Sequence, residues 1–507
     1  MPATRSGPAR ITAENWSFRR ADRAAAVLHG LDFSIAPGER VLLLGPSGSG
    51  KSTLLHALAG VLGDGDAEET GTLALDGTHP RASRGRAGLM QQDPETQVIL
   101  PRVGDDVAFG AENLSVPPEQ IWPRVNDALR AVGLDLPLDH PSSSLSGGQK
   151  QRLALAGILA MQPGLVLLDE PTANLDPEGV LEVRDAVASA LADRSATLIV
   201  VEHRVEVWRD QVDRVLVLNA QGGLEADGTP REVLVARGEA LAAQGIWLPE
   251  HLPELPPFNS TPGRQLMTTE SLAVGRRAVA AAQGLNLEIQ AGQALAITGP
   301  NGSGKSTLAL TLGGLLKPIS GVLKAEPELA DGLGAQPRSW KAKDLIARIG
   351  SVFQEPEHQF VTGNVRDELA FGLRHQGRRG TEKEGAEKEW AARVDELLEA
   401  LGLADFAEAN PFTLSGGQKR RLSVATVMAA KPKLLILDEP TFGQDALTWA
   451  ALIELLRTAL LEGSAVVSVS HDEQFIEALN SRQLLMPEQP ESRLSDPRLT
   501  SERRPGR

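Results

Sequence analysis

The sequence LSGGQKQRLALAGILAMQPGLVLLDEPTANLD, at residues 145–176, contains the two local patterns that decide the fold. Its Leu-Ser-Gly-Gly-Gln turn opens a predicted helix, whose first backbone N–H groups are unpaired and can bind an anion. The aliphatic run Leu165 to Leu168 predicts a strand that is buried on both faces and ends at the carboxylates of Asp169 and Glu170. Because parallel α/β sheets bind ligands at the carboxyl ends of their strands, this stretch predicts an α/β ligand-binding fold.

The same stretch is repeated later in the chain. Residues 414–445 read LSGGQKRRLSVATVMAAKPKLLILDEPTFGQD, and GPSGSGKST at 45–53 is repeated as GPNGSGKST at 299–307. The copies of this second motif lie 254 residues apart, whereas those of the first lie 269 residues apart, so small insertions separate them. A chain of 507 residues is too long for one core, and the repeats predict two copies of one domain.

Each G-x-x-x-x-G-K-S motif lies between a predicted strand and a predicted helix, which is the context of a phosphate-binding loop. The glycines let successive N–H groups converge on phosphate oxygens, the lysine supplies a positive charge, and the following serine can bind Mg²⁺. The candidate phosphate ligands are Gly45, Pro46, Ser47, Gly48, Ser49, Gly50, Lys51, Ser52 and Thr53, and their counterparts Gly299, Pro300, Asn301, Gly302, Ser303, Gly304, Lys305, Ser306 and Thr307.

The composition excludes some classes of function. The formal net charge of −15 does not favour binding to a nucleic-acid backbone as the main task. The absence of cysteine excludes disulfides and thiolate metal sites. No apolar run is long enough to cross a bilayer, and the first ten residues have no apolar stretch typical of a secretory signal. Any work at a membrane would therefore need a partner that supplies the span.

Two further side chains recur at corresponding positions. Gln92 and Gln354 open the segments QDPETQ and QEPEHQ, and His203 and His471 each follow a predicted strand. A histidine at a strand end can donate a hydrogen bond to a terminal phosphate.

Together these motifs resemble the ATP-binding-cassette (ABC) ATPases. The resemblance implies two tandem α/β domains, each with a mostly parallel sheet core, an antiparallel β subdomain and a helical subdomain, and it implies ATP and Mg²⁺ as cofactors. It implies that a glutamate activates water, a histidine contacts the γ-phosphate, and a glutamine reaches Mg²⁺ and the water. The implied catalytic residues are Glu170, Glu439, His203, His471, Gln92 and Gln354, and the implied metal ligands are Ser52, Gln92, Asp169, Ser306, Gln354 and Asp438.

In this family two domains pack head to tail around two nucleotides. The resemblance therefore implies that Ser415, Gly416, Gly417 and Gln418 close the first site, and that Ser146, Gly147, Gly148 and Gln149 close the second. Because both sets are complete, we expect both sites to hydrolyse ATP.

The chain departs from the family pattern at two places. The sequence has no tyrosine to stack on adenine, and Arg20 and Arg276 fall near that position, where a guanidinium plane could stack on the base. The loop ANLD of the first copy (173–176) is FGQD in the second (442–445), which makes the two halves inequivalent.

Composition also suggests the domain boundaries. We expect a flexible N-terminus at 1–10, a first ABC domain at 11–247 that starts with an edge strand, and a second at 265–486. Between them, the Pro-rich residues 248–264 predict a semi-rigid tether. Residues 487–507 predict a disordered tail.

The segments beginning at Gln92 and Gln354, with the related sequences DDVAFG and DELAFG that follow them, resemble ATPases of energy-coupling-factor (ECF) importers, including cobalt and nickel importers. This resemblance implies a peripheral protein on the cytoplasmic face of the cell membrane. It would power uptake of a vitamin or transition-metal ion through integral membrane coupling and substrate-binding subunits, with membrane contact only through those partners.

Two alternatives remain. A fused sugar-importer ATPase is similar in length, although its second site is expected to be degenerate. A non-transport ABC protein acting on ribosomes or DNA is the other, although ribosome-acting members carry a long charged linker and DNA-repair members carry zinc-binding cysteines. The acidic chain favours no nucleic-acid partner.

Overall fold

Each copy of the repeated sequence forms a sheet whose central strands are buried aliphatic runs. The computed structural model describes residues 7–20, 26–62, 67–92, 96–173, 175–276, 279–375 and 383–487. Within these ranges the chain forms two α/β halves, each with a mainly parallel sheet and a separate antiparallel sheet.

The first half contains nine strands among the described residues: β1 (Ile11–Arg20), β2 (Leu28–Ile35), β3 (Arg40–Leu44), β4 (Ala67–Leu75), β5 (Ala87–Met90), β6 (Leu165–Asp169), β7 (Thr197–Val201), β8 (Arg214–Leu218) and β9 (Leu224–Gly228). Its α-helices are α1 (Lys51–Ala59), α2 (Val103–Asn113), α3 (Pro118–Ala131), α4 (Gly147–Ala160), α5 (Pro177–Ala190), α6 (Val205–Trp208) and α7 (Gly238–Ala242). The main sheet has the order β5-β6-β7-β3-β8-β9, and only β9 is antiparallel to its neighbour.

The second half repeats this plan. Its strands are β10 (Gln265–Arg276), β11 (Val279–Leu285), β12 (Glu288–Gln290), β13 (Ala294–Thr298), β14 (Ser320–Ala325), β15 (Ile349–Val352), β16 (Leu434–Asp438), β17 (Ala465–Val469) and β18 (Arg482–Leu485). Its helices are α8 (Lys305–Leu312), α9 (Pro327–Ala330), α10 (Ala342–Ile346), α11 (Val365–His375), α12 (Lys383–Ala400), α13 (Gly416–Ala429), α14 (Ala446–Leu461) and α15 (Glu473–Ala478). The sheet β15-β16-β17-β13-β18 is parallel throughout.

The predicted position of the first strand is wrong. β1 is the middle strand of an antiparallel sheet with the order β2-β1-β4, and not an edge strand. A register shift near Asn15, whose φ is 45°, interrupts the alternation of its side chains. Trp16 and Phe18 are buried and their rings stack 6.2 Å apart, because β1 packs on the apolar core beneath it.

Both ends of the predicted first domain differ in detail from expectation. Ala9 is buried, and its N–H donates to the oxygen of Gly164, so the packed part begins before residue 11. The expected tether is also packed: Leu255 and Phe258 lie on the core of the second half, and Arg457 lies over the Phe258 ring. The linker is therefore fixed to the second half. The predicted tail lies outside the described residues from 488 onward.

Among the helices that the structure describes, none combines the length and apolarity needed to cross a bilayer.

Candidate functional site

Each predicted phosphate loop joins a strand of the main sheet to the helix that begins at its lysine. Lys51 is buried, and its Nζ donates to the oxygens of Gly45 and Pro46 at 2.8 and 3.0 Å. Lys305 makes the same pair of bonds to its own loop at 2.7 and 2.9 Å. Burial lowers the pKa of both lysines. The two loops are therefore folded alike, with the ammonium group inside the loop.

The glycine that precedes each lysine has a left-handed conformation, with φ of 94° at both Gly50 and Gly304. A methyl group added at Gly50 would lie 2.6 Å from Cδ2 of Leu28, and one at Gly304 would lie 2.8 Å from Cβ of Ala281. Glycine is thus required both by φ and by the close approach of the antiparallel sheet.

Arg20 and Arg276 are the last residues of β1 and β10, and both are exposed. β2 and β11 are the next strands in the chain after these arginines, and Leu28 of β2 and Ala281 of β11 lie close to Gly50 and Gly304 of the loops. The structure therefore places both arginines in the hairpins that approach the loops, and their contact with adenine stays a prediction.

Several polar groups of the loops fit a phosphate and a metal ion. The buried hydroxyls of Ser49 and Ser303 have no hydrogen-bond partner among the described residues. Ser52 lies beside Asp169 and Ser306 beside Asp438, which brings one hydroxyl and one carboxylate together in each half. Within the described ranges no cluster of three metal-binding side chains occurs. This donor set suits Mg²⁺, which usually takes few protein ligands and completes its shell with phosphate and water.

In the first half, Glu170 joins the glutamine and the histidine. Its Oε2 accepts a hydrogen bond from Gln92 Nε2 at 2.7 Å, and its Oε1 lies 3.1 Å from His203 Nε2. The residue has a φ of 50°, and its N–H donates to the oxygen of Val201 at the end of the neighbouring strand. The strand end therefore turns sharply and brings all three predicted catalytic side chains into contact.

Ionisation in the first half follows from these contacts. Burial opposes the charge of Glu170, but His203, Lys51 and the Gln92 hydrogen bond outweigh burial and lower the pKa of Glu170. Burial and the neighbouring Glu170 charge raise the pKa of Asp169 to about 6. Of the two carboxylates, Glu170 holds its negative charge more strongly.

The second half does not reproduce this network. Glu439 has nearly the same backbone, with φ of 48°, but its Oε1 lies 3.9 Å from His471 Nε2, which is too long for a hydrogen bond. That nitrogen is buried and has no partner among the described residues. No hydrogen bond in the described part of the chain joins the Gln354 side chain to Glu439. The structure thus brings Glu439 and His471 near each other without connecting them.

The ionisation of these groups changes accordingly. Burial, reinforced by the charge of Asp438, raises the pKa of Glu439 to about 8. Burial and the charge of Lys305 lower the pKa of His471 to about 4. A cation bound at Asp438 would favour the ionised form of Glu439, because a nearby opposite charge lowers the pKa of an acid.

Contacts between the halves place the second copy's Ser-Gly-Gly-Gln turn against the first phosphate loop. A methyl group added at Gly416 would lie 3.1 Å from Oε1 of Gln92, and one added at Gly417 would lie 3.8 Å from Oγ of Ser47. Gln418 is buried, and its Nε2 would lie 3.8 Å from a methyl group added at Gly48. The two halves of one chain therefore face each other head to tail.

The first copy's turn has its nearest neighbours within its own half. For added methyl groups, the nearest atoms at Gly147 and Gly148 belong to Leu175 and Gly179 of the same half, at 3.8 and 3.9 Å. Ser146 and Gly147 are exposed, as are Ser415 and Gly416, but Gln149 is only partly buried where Gln418 is buried. Both turns nevertheless have the same local structure, because Ser146 and Ser415 form capping boxes with Gln149 and Gln418.

Two aspartates that the sequence analysis left out of the site also cross the interface. Asp176 Oδ2 accepts from the N–H of Asn301 at 3.2 Å, and Asp445 Oδ2 lies 3.4 Å from the N–H of Ser47. Each aspartate also caps the helix that follows it, α5 or α14. The repeated Asp at the end of ANLD and FGQD was the signal that could have identified them.

A buried arginine in the second half was also missed. Arg420 donates to the backbone oxygens of Phe353 and Gln354 at 2.8 and 2.6 Å, and to that of Asp438 at 3.3 Å. Its counterpart in the first half is Gln151, which is fully buried and has no side-chain partner among the described residues. This difference between KRR and KQR is visible in the sequence, but its consequence is not.

A cavity of about 480 Å³ lies between the halves. Its wall includes Glu170 and His203 from one half, Glu439 and His471 from the other, and Trp247 near the junction. The predicted catalytic glutamate and histidine of each half therefore border one shared space.

Comparison with known proteins identifies two matching segments. The model of the "ABC transporter" family matches residues 28–173 and 282–442, and each segment contains one phosphate loop and one Asp-Glu strand end. The expected fold class, with a parallel and an antiparallel sheet in each of two tandem domains, is confirmed.

Individual proteins resemble the chain over most of its length. The "Putative HMP/thiamine import ATP-binding protein YkoD" of Bacillus subtilis is 36% identical, covering 92% of this chain and 88% of the relative. A "Putative ABC transporter ATP-binding protein" of Methanosarcina acetivorans is 34% identical, covering 91% and 82%. The archaeal ribosome recycling factor aABCE1, solved with ribosomal stalk protein aP1, superposes with a TM-score of 0.58 at 21% identity, covering 93% and 87%. The last similarity concerns the fold alone.

Proposed function

Because the chain belongs to the ABC transporter family, whose ATPases bind ATP with Mg²⁺ and hydrolyse it, we propose that it powers an ECF-type importer. In this proposal the chain lies on the cytoplasmic face of the membrane and drives uptake of a vitamin or transition-metal ion through separate membrane subunits. The name of the Bacillus subtilis relative, an import ATP-binding protein, supports an import role.

We further propose that both sites hydrolyse ATP. In the first, Lys51 and the loop N–H groups bind the phosphates, Ser52 and Asp169 hold Mg²⁺, and Glu170 activates the attacking water. Lys305, Ser306, Asp438 and Glu439 have these roles in the second. Bound Mg²⁺ would neutralise charge that develops on the phosphates. Each Ser-Gly-Gly-Gln turn closes the site of the opposite half, which the contacts of Gly416 and Gly417 with the first half support.

The observation that best supports a membrane partner is a duplicated exposed apolar surface. Ile99 and Val361 are 61% and 65% exposed and follow Gln92 and Gln354 at equal spacing. Phe109 and Phe371, both 37% exposed, repeat at the same separation on α2 and α11. Large apolar side chains that stay exposed at corresponding places in both halves suit docking of an apolar partner surface.

The alternatives have less support. The resemblance to the ribosome recycling factor concerns the fold alone, because a sequence identity of 21% does not indicate shared partners. A fused sugar importer with a degenerate second site is disfavoured because Lys305, Ser306, Asp438 and Glu439 are all present.

The test is to tag the chain in its own cells, solubilise the membranes gently, and identify co-purifying proteins by mass spectrometry. We expect a multi-span coupling protein together with a small membrane protein that binds the cargo. The double variant Ile99→Ser/Val361→Ser should lose both while its basal ATPase activity is retained. Leu461→Ser is the matched control, because Leu461 is equally exposed, at 68%, on α14. Co-purification of ribosomal proteins instead would overturn the proposal.

A further inference from the structure

Trp247 lies at the end of the first half and contacts the second. Its Nε1 donates a hydrogen bond to the backbone oxygen of Gln444 at 2.8 Å. Its ring meets Trp449 edge to face, with centroids 5.5 Å apart and an interplanar angle of 79°. Both partners belong to the FGQD loop or to the helix that follows it.

A second hydrogen bond holds the residue that follows the FGQD loop, and its acceptor lies two residues before Trp247 in the chain. The oxygen of Gly245 accepts a hydrogen bond from the N–H of Ala446 at 2.8 Å. The backbone is therefore fixed on both sides of Asp445, at Gln444 by Trp247 and at Ala446 by Gly245. Asp445 is the residue whose carboxylate faces the first phosphate loop at Ser47.

Contacts of Trp449 extend this connection towards the second site. Trp449 Nε1 donates to Asp472 Oδ2 at 2.8 Å, and Asp472 directly follows His471. The direct hydrogen bonds of Trp247 and Gly245, however, are made on the two sides of Asp445, to Gln444 and Ala446, so the first site is the one that depends on them most closely.

The first half holds its corresponding loop differently. Leu175, the counterpart of Gln444, packs into an apolar cluster with Val180 and Val183 of its own half. Gln444 is buried but polar; its Nε2 donates to the oxygen of Pro440, and its Oε1 has no partner in the described residues. The loop of the second half lacks this apolar anchor and is held instead by Gly245 and Trp247 at the end of the first half.

We propose that Trp247 is a positioning residue that clamps the FGQD loop and thereby sets the catalytic rate of the first site. This inference rests on the proposed assignment of the two sites. It makes the junction between the domains a part of the catalytic apparatus, acting through Asp445 and Ser47 without touching nucleotide.

The test compares Trp247→Phe, which removes the donor and keeps most of the ring, with Trp122→Phe, which changes an exposed tryptophan on α3. Each change is made in a Glu439→Gln background, where the first site remains, and in a Glu170→Gln background, where the second remains. We expect Trp247→Phe to lower kcat about threefold to tenfold in the first background, as loss of one neutral hydrogen bond implies. The KM for ATP and the melting midpoint should change little. In the second background, kcat should also change little.

Hydrogen exchange of the peptide that contains Ala446 gives a readout independent of the site assignment. We expect faster exchange in Trp247→Phe than in Trp122→Phe, because opening of the clamp frees this N–H. Unchanged exchange, or equal kcat for the two variants in both backgrounds, would overturn the clamp. If Glu170→Gln and Glu439→Gln, each without a tryptophan change, both keep full turnover, the site assignment is wrong. Hydrogen exchange would then still test whether Trp247 clamps the loop.

Discussion

The two nucleotide sites have the same motifs and different hydrogen-bond networks. In the first, Gln92, Glu170 and His203 form one connected group, whereas in the second Glu439 and His471 are 3.9 Å apart and unconnected. The strand ends have nearly equal backbone conformations, so the difference comes from the side chains around them. Motif identity therefore determines which groups reach a site, and their neighbours determine how those groups are bonded and charged.

One such neighbour is the residue at position 151 of α4 and at the corresponding position 420 of α13. Arg420 donates a hydrogen bond to the backbone oxygen of Gln354, while the side chain of Gln151 has no hydrogen-bond partner in the described part of the first half. The backbone that carries the glutamine is thus held by a cation in the second half, whereas in the first the glutamine side chain itself is held by Glu170. The two halves use different groups to position the same loop.

The largest expected effect comes from removing the catalytic base of either site. Glu170→Gln and Glu439→Gln should each lower turnover at their own site by on the order of 10² to 10⁴, because the positioned base is lost. The measurement is steady-state ATP hydrolysis by each single variant and by the double variant. An unchanged rate in one single variant would mean that its site does not hydrolyse ATP.

Next in size is the loss of the buried arginine. Arg420→Gln should destabilise the second half by about 2–3 kcal/mol, because it leaves buried carbonyl oxygens without a charged donor. Gln151→Leu is the matched variant in the first half and should be close to neutral, since Gln151 has no described partner to lose. Thermal unfolding of both variants tests the difference, and equal destabilisation would show that the two positions are equivalent.

A smaller effect should distinguish the corresponding glycines Gly148 and Gly417. A methyl group at Gly417 would lie 2.6 Å from the oxygen of Gly443, whereas one at Gly148 would have its nearest atom at 3.9 Å. Gly417→Ala should therefore cost about 1–2 kcal/mol of stability through overpacking, and Gly148→Ala should cost none. The melting midpoints of the variants without nucleotide are compared. A larger loss in Gly148→Ala would contradict the described asymmetry.

The smallest effect concerns acid stability. Asp213 forms a two-point ion pair with Arg194 at 2.8 and 2.9 Å, and this pairing lowers the pKa of Asp213. A lowered pKa means that the stabilisation is present above the unfolded-state pKa and is lost as pH falls through the folded-state value. Wild type and Asp213→Asn should therefore differ by under about 1 kcal/mol at neutral pH, since the pair is exposed, and should converge at acid pH, below the folded-state pKa of Asp213.

The second half offers the control for this last comparison. The residue corresponding to Asp213 is Ser481, whose buried hydroxyl has no partner among the described residues. Ser481→Ala should change stability equally at both pH values, and melting curves at each pH measure this. A pH-dependent effect of Ser481→Ala would assign the acid sensitivity to other groups.

Much of the fold was predictable because it depends on short contiguous patterns. The aliphatic runs before Asp169 and Asp438 form buried central strands, and the strand predicted before His203 is present as Thr197–Val201. The position of β1 was not predictable in this way, because whether an alternating strand lies at an edge depends on its neighbours β2 and β4. The packed linker was also missed, since proline content reports stiffness and not the surface on which Phe258 lies.

The sequence by itself determined the duplication, the ABC family and the groups available for chemistry, because these depend on residue types at fixed short spacings. Only the tertiary structure decided that Gly416 approaches Gln92 within one chain, that Asp176 and Asp445 reach the opposite loops, and that Trp247 holds the second loop. The physical reason is that such contacts join residues hundreds of positions apart. Their hydrogen bonds and pKa values depend on burial and orientation, which local sequence does not encode.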